Sequence, residues 1–164
     1  MGRKSGKSDA EKTPYEKARE KCGLTREKAS ERMDYISADR IEKIENGRAS
    51  ANPEDVLAMA EAYDDSLLCN YYCSRECPIG RKHVPFIEIK DLSRITLETL
   101  STLNSLNQLR DRFVDISVDD QITEDELEDF LLIKQKLENI SLTADTLRYW
   151  MEQNLPDREE NSPS

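Results

Sequence analysis

The sequence predicts an all-α protein, with an N-terminal module of five short helices followed by a long antiparallel helical hairpin. Three observations carry this. Polar capping residues recur at Thr13, Thr25, Ser37, Asn52 and Ser66, each before a short run with inward-facing apolar residues. Leucines, isoleucines and aromatics fall on helical spacing from Leu92 to Phe113 and again from Leu127 to Trp150. Nowhere does the pattern show the two-residue alternation of strands.

Taken in order, TPYE begins the first helix as a capping box: Thr13 accepts from a first-turn amide, Pro14 suits the first helical position, and Glu16 reaches back. The helix runs to Cys22 and stops at Gly23. Thr25 caps a second helix whose inward residues are Ala29 and Met33. Ser37 caps a third, in which Ile36 staples onto Ile41, Ile41 and Ile44 face inward, and Gly47 ends the helix. Asn52 and Pro53, with acids in the first turn, open a fourth helix carrying Val56, Leu57, Met59 and Ala60. Ser66 caps a fifth that runs through Tyr72.

PIGRKHVP then reads as a loop, and residues 81–90 as a linker. A longer helix starts near Asp91, with Leu92, Ile95, Leu100, Leu103, Leu106, Leu109 and Phe113 on one broad stripe. Thr123 with Glu126 forms a second capping box before a last helix, from Glu124 to about Asn154. The resulting division is a basic arm at 1–12, a module at 13–80, the linker at 81–90, an acidic hairpin at 91–155 and a tail at 156–164. Arm and tail are polar and charged with nothing to bury, and are expected to be disordered.

Composition narrows the function. Of 164 residues, 37% are hydrophobic and 35% charged, which favours small modules over an enzyme with a deep cleft. No apolar run approaches the roughly 18 residues needed to span a bilayer, and the basic N-terminus lacks the apolar stretch of a signal peptide, so a cytoplasmic location is expected. The net charge of −10 is unevenly placed. Residues 1–50 carry 13 Lys and Arg against 10 Asp and Glu, whereas residues 91–164 carry 7 against 17. Two differently charged halves imply two tasks.

Residues 15–63 resemble the phage-repressor helix-turn-helix family, the Cro and lambda-repressor-like or XRE-type domain. The matching segments are AREKCGLTREKASERM, ISADRIEKIENGR and PEDVLAMAEAY. Leu24 with Thr25 starts helix 2, Ala29 or Ser30 is the small residue at its packed turn, and Ser37 precedes the recognition helix. Ile41 with Ile44 is the buried isoleucine pair, and Glu45 with Gly47 closes the helix. The resemblance implies a lambda-repressor-like five-helix domain that binds double-stranded DNA. It places Thr25 and Arg26 near a phosphate, Ala38, Asp39, Glu42 and Lys43 toward the major groove, and Ser37, Arg40, Asn46 and Arg48 beside them or along the backbone.

Two features depart from the family pattern. The turn MDYIS is one residue longer than usual, and the reading face is neutral, with Asp39 and Glu42 offsetting Arg40 and Lys43. Glu42 can accept from a cytosine amino group, while Arg3, Lys4, Lys7, Arg26, Lys28, Arg32 and Arg48 are the candidates for phosphate attraction. The reading is therefore a sequence-specific transcriptional regulator of the XRE type, pairing as a homodimer through the hairpin. The alternative is a protein–protein interaction module that keeps the architecture without reading DNA.

Two segments carry metal-ligand residue types, each with a competing structural reading. Cys69, Cys73 and Cys77, spaced by four, would share one face of a continuous helix and hold zinc with Cys22 or His83, or simply pack the fifth helix. DISVDDQITEDE imitates a calcium loop through Asp115, Ser117, Asp119, the Gln121 carbonyl and Glu126, with Asp120 where glycine is usual; a plain interhelical turn is the competing reading. No nucleophile elbow or phosphate loop occurs, and no enzyme is implied.

Overall fold

The computed structural model describes residues 8–118 and 121–155. Among these residues the regular structure is entirely helical, as expected. The chain divides into two compact units that meet between Phe86 and Ile87.

The first unit contains α1 (Pro14–Lys21), α2 (Arg26–Glu31), α3 (Ala38–Glu45), α4 (Pro53–Tyr63), α5 (Leu67–Tyr71) and α6 (Gly80–His83). Four of the starts follow the expected chemistry. Thr13, Thr25, Ser37 and Asn52 each accept the amide three residues on, and Asn52 completes a reciprocal box with Asp55. Each such cap contributes about 1 kcal/mol by satisfying an orphan donor. Gly47 leaves α3 at φ +65°, a left-handed turn that a Cβ would strain. Inside, Tyr15, Ala29, Met33, Ile36, Ile41, Val56, Met59 and Tyr63 make one core, and the Ile36–Ile41 pair is buried within it.

Three expectations for this unit are corrected. Ser66 makes no side-chain cap; Asp65 instead accepts the Leu67 amide at 3.2 Å. The fifth helix gives way after Tyr71 to a wider π-type turn over Tyr72–Glu76, closed by Cys77 N–H on the Tyr72 carbonyl at 2.9 Å. The segment read as loop and linker contains α6. Its first residue, Gly80, is buried so tightly that a Cβ would lie 2.1 Å from the Cys73 carbonyl oxygen, so only glycine fits there.

The second unit contains α7 (Leu92–Gln108), α8 (Arg110–Ile116) and α9 (Leu127–Asn154), with α9 folded back along α7 and α8. Asp91 caps α7. The expected single helix from 91 to 113 is interrupted at Leu109, where the amide bonds three residues back to Leu106 at 3.0 Å. No proline or glycine announces this break. Thr123 and Glu126 do meet, but Glu126 accepts from both the amide and hydroxyl of Thr123, and residues 124–126 form a turn, so α9 begins three residues later than expected. The Arg112–Asp129 pair at 2.6 Å ties α8 to the first turn of α9. Ile95, Ile116 and Ile133 are the deepest apolar residues of the three helices. Thr143 and Thr146 are buried too, each satisfied by a carbonyl four residues back at 2.6 and 2.7 Å.

Of the predicted arm, residues 1–7 lie outside the described residues, and so does the predicted tail, 156–164. Residues 8–11 hold a single 3-10 turn in which Glu11 accepts the Ser8 amide at 2.9 Å.

Candidate nucleic-acid interface

Helix α3 is positioned by a buried ion-pair cluster. Arg19 on α1 faces inward with Tyr15 and Ala18, and meets Glu45 at the end of α3 through two contacts, Nε–Oε1 at 2.6 Å and Nη2–Oε2 at 3.0 Å. Its remaining nitrogen donates to the Leu24 carbonyl at 2.7 Å. Arg26 of α2 donates through Nε to Oε2 of the same carboxylate at 2.7 Å, sharing that oxygen with Arg19, and lies 3.7 Å from Glu16. Glu45 is fully buried, so the three helices α1, α2 and α3 are clamped around one charge. Hydrogen bonding to Glu45 holds the Arg19 guanidinium above its ordinary value.

This explains the Glu-x-Gly ending physically. Glu45 anchors α3 from within while Gly47 turns the chain out of it.

The expected site residues fall into three groups. Thr25 and Ser37 are exposed caps, their hydroxyls occupied by the Lys28 and Arg40 amides, and Ala38 is half-buried at the start of α3. Asp39, Glu42, Lys43 and Asn46 lie on the outer side of α3, and Arg48 lies just beyond it, exposed. Arg26 and Arg40 turn sideways into the protein. Arg40 donates to Asp55 at 2.6 Å and to the Ser50 carbonyl at 2.9 Å, which joins α3 to the start of α4.

The outer charges pair with one another. Lys43 sits 2.6 Å from Asp39, and Arg48 is 3.9 Å from Glu42. The Glu42 carboxylate also faces the Asn46 amide at 3.5 Å. Thus the four cations Arg26, Arg40, Lys43 and Arg48 each have an acidic neighbour. Of the other expected attractors, Arg32 donates to the Ala62 carbonyl at 3.1 Å, Lys28 is exposed, and Arg3, Lys4 and Lys7 lie outside the described residues.

Residues 16–65 match the family model described as a helix-turn-helix domain. The segment is a helix-turn-helix domain of the XRE and lambda-repressor-like class. No curated protein and no solved structure shows a significant match to the chain. Within the helix-turn-helix domain, Tyr35 in the segment between α2 and α3 is 64% exposed, and its hydroxyl donates to the Glu54 carbonyl at 2.6 Å, which pins that segment to the first turn of α4. Sequence reasoning missed Tyr35 as well as Arg19. An arginine on the inward stripe of α1 was the available indication of the latter.

The metal expectations fare differently from the helices. Among the described residues no group of three or more His, Cys, Asp or Glu is arranged to hold a metal ion. The π-type turn and α6 break the continuous helix that would have aligned Cys69, Cys73 and Cys77, and His83 is exposed at the end of α6. Cys22 donates its thiol to the Tyr63 carbonyl at 2.8 Å, and the Cys77 sulfur accepts the Gly80 amide at 3.4 Å. Burial pushes the Cys69 thiol up. In the acidic loop, Asp119 and Asp120 lie outside the described residues. Ser117 donates to the Phe113 carbonyl at 2.6 Å, and Glu126 serves Thr123, which are the contacts of an interhelical turn.

Among the described residues no helix is long and apolar enough to cross a membrane.

Proposed function

We propose that the protein is a sequence-specific DNA-binding transcriptional regulator of the XRE type, reading DNA through α3 and pairing through the hairpin. The observation that carries the reading is the clamped α2–α3 pair, which holds Asp39, Glu42, Lys43 and Asn46 outward on a rigid helix beside Arg48. In this reading Glu42 and Lys43 meet base edges. Thr25, Ser37 and Ala38 border the backbone, Arg48 supplies phosphate attraction, and Arg26 and Arg40 act chiefly by orienting the helices. Because outer cations are offset by acids, binding is modest and strongly salt-dependent.

A single reader touches few base pairs, and two readers spaced about 34 Å apart on half-sites multiply affinity. The hairpin favours self-association. Leu97 is 68% exposed, Leu131 53%, and Leu100, Leu103 and Leu137 also face solvent. Apolar residues repeated at helical spacing on long helices suit a second copy.

One observation favours a second reading, a protein–protein interaction module without DNA reading: Arg26, Arg40, Lys43 and Arg48 each have an acidic neighbour. Titration of the full chain against a randomised duplex pool at low salt separates the two. Retention that falls steeply with salt supports the regulator; no retention leaves the interaction module.

A further inference from the structure

Behind the recognition helix lies a cleft of about 540 Å³ in the first unit. One side is the chain that leaves α3, with Ala49 and Ala51; Ile44 and Tyr15 line its interior, and Tyr72 with Glu76 on the π-type turn faces them. Its volume falls within the usual range of roughly 300–1,000 Å³ for small-molecule sites. Among the described residues that line it there is no lysine or arginine.

The chemistry of the walls selects the ligand. Among the described residues, Glu76 brings the one ionisable carboxyl that lines the cleft; it accepts the Tyr15 hydroxyl at 3.0 Å and forms no ion pair. An anion entering this cleft meets a carboxylate with no compensating cation among the described lining residues. A neutral apolar molecule leaves that carboxylate unused. A small organic cation satisfies both walls, with its charge near Glu76 and the electron-rich ring of Tyr72, and its carbon body against Ile44, Ala49 and Ala51.

The cleft is also wired to α3. The amides of Arg48 and Ala49 both donate to the Lys43 carbonyl, at 2.8 and 3.2 Å, and the Ser50 carbonyl receives Arg40 at 2.9 Å. A molecule against residues 47–51 therefore bears on the segment that closes the recognition helix.

We propose that this cleft binds a small organic ammonium ion, with Glu76 as counter-ion and Tyr72 as aromatic wall, and that occupancy is transmitted to α3 through residues 47–51. Its regulatory consequence rests on the DNA-reading proposal; the binding itself does not.

The test is titration of benzyltrimethylammonium into the full chain without DNA, followed by amide NMR, with benzyl alcohol and benzoate as neutral and anionic controls. Expected is saturable binding with shifts concentrated in residues 47–51 and 72–76, weakened at least about tenfold by Glu76→Gln and by Tyr72→Leu. Glutamine retains an acceptor for Tyr15, and Tyr72→Leu retains an apolar wall, so either variant that melts like the parent suffices. Absence of saturation up to about 10 mM, equal binding of the controls, or unaltered affinity in a variant that melts like the parent overturns the proposal. With no DNA present, a failure of DNA reading leaves this outcome untouched.

Discussion

Arg19 and Glu45 form a two-pronged pair across 26 residues of sequence, with both partners buried and both ends of the carboxylate engaged. Breaking such a pair strands a charge in the core. Glu45→Ala is expected to destabilise the helix-turn-helix domain by about 3–5 kcal/mol, whereas replacing Arg19 and Glu45 together with methionine costs much less. Urea unfolding of the parent and the two variants checks this; equal losses in the single and double replacements would contradict it.

The Lys43–Asp39 pair makes a different prediction, because both residues are exposed and the pair contributes little to stability. Asp39→Asn releases Lys43 and removes an acid from the reading face. DNA binding at low salt should tighten roughly two- to fivefold, with a steeper dependence on salt. Arg48→Ala should weaken all sequences alike and reduce the salt slope by about one. Fluorescence anisotropy across a salt series measures both. By contrast, Arg26→Ala should lower thermal stability as well as binding, since Arg26 shares Glu45.

Alkaline pH probes the tyrosines. Burial is the main cause that raises the phenols of both Tyr15 and Tyr63 above the ordinary value of about 10. The folded state keeps both protonated while the unfolded chain ionises them. Their contribution to stability is therefore complete below about pH 10 and is lost as pH rises above it. Unfolding midpoints at about pH 8 and about pH 11 should differ in the parent, and less in Tyr15→Phe and Tyr63→Phe. At neutral pH the two variants diverge. Tyr63 Oη is buried without a hydrogen-bond partner among the described residues, so its removal should be neutral or stabilising, whereas loss of the Tyr15–Glu76 bond should cost about 1 kcal/mol.

Gly80→Ala forces a methyl group against the Cys73 carbonyl. The backbone there is helical, so the cost is steric and not conformational. A loss of about 1–3 kcal/mol is expected, with altered amide shifts in the π-type turn and no change at α3. Chemical denaturation with NMR measures it.

For assembly, light scattering of the full chain at high micromolar concentration should give the dimer mass. Leu97→Glu with Leu131→Glu, both on exposed positions, should return it to a monomer with its helical content intact. A monomeric parent refutes pairing through residues 91–155.

Much of this was legible in one dimension because it is local. Thr13, Thr25, Ser37 and Asn52 act on amides three residues away, and the inward residues Ile41, Ile44, Val56 and Met59 repeat with the period of the helix itself. The helix-turn-helix spacing is the sum of these short-range rules, so the domain and its outward residues follow from the sequence alone. What only the tertiary structure decided involves partners far apart in the chain. The Tyr15–Glu76 bond spans 61 residues and the Arg19–Glu45 pair 26, and no periodicity specifies either. The same holds for the turning of Arg26 toward Glu45 and of Arg40 toward Asp55, since a guanidinium on an exposed-looking position is drawn to whichever carboxylate the fold brings near. The π-type turn that separates the cysteines and the close approach of Gly80 to Cys73 belong here too. Local propensity fixes where a helix begins; which charges it meets, and which clefts form behind it, depends on how the helices are packed together.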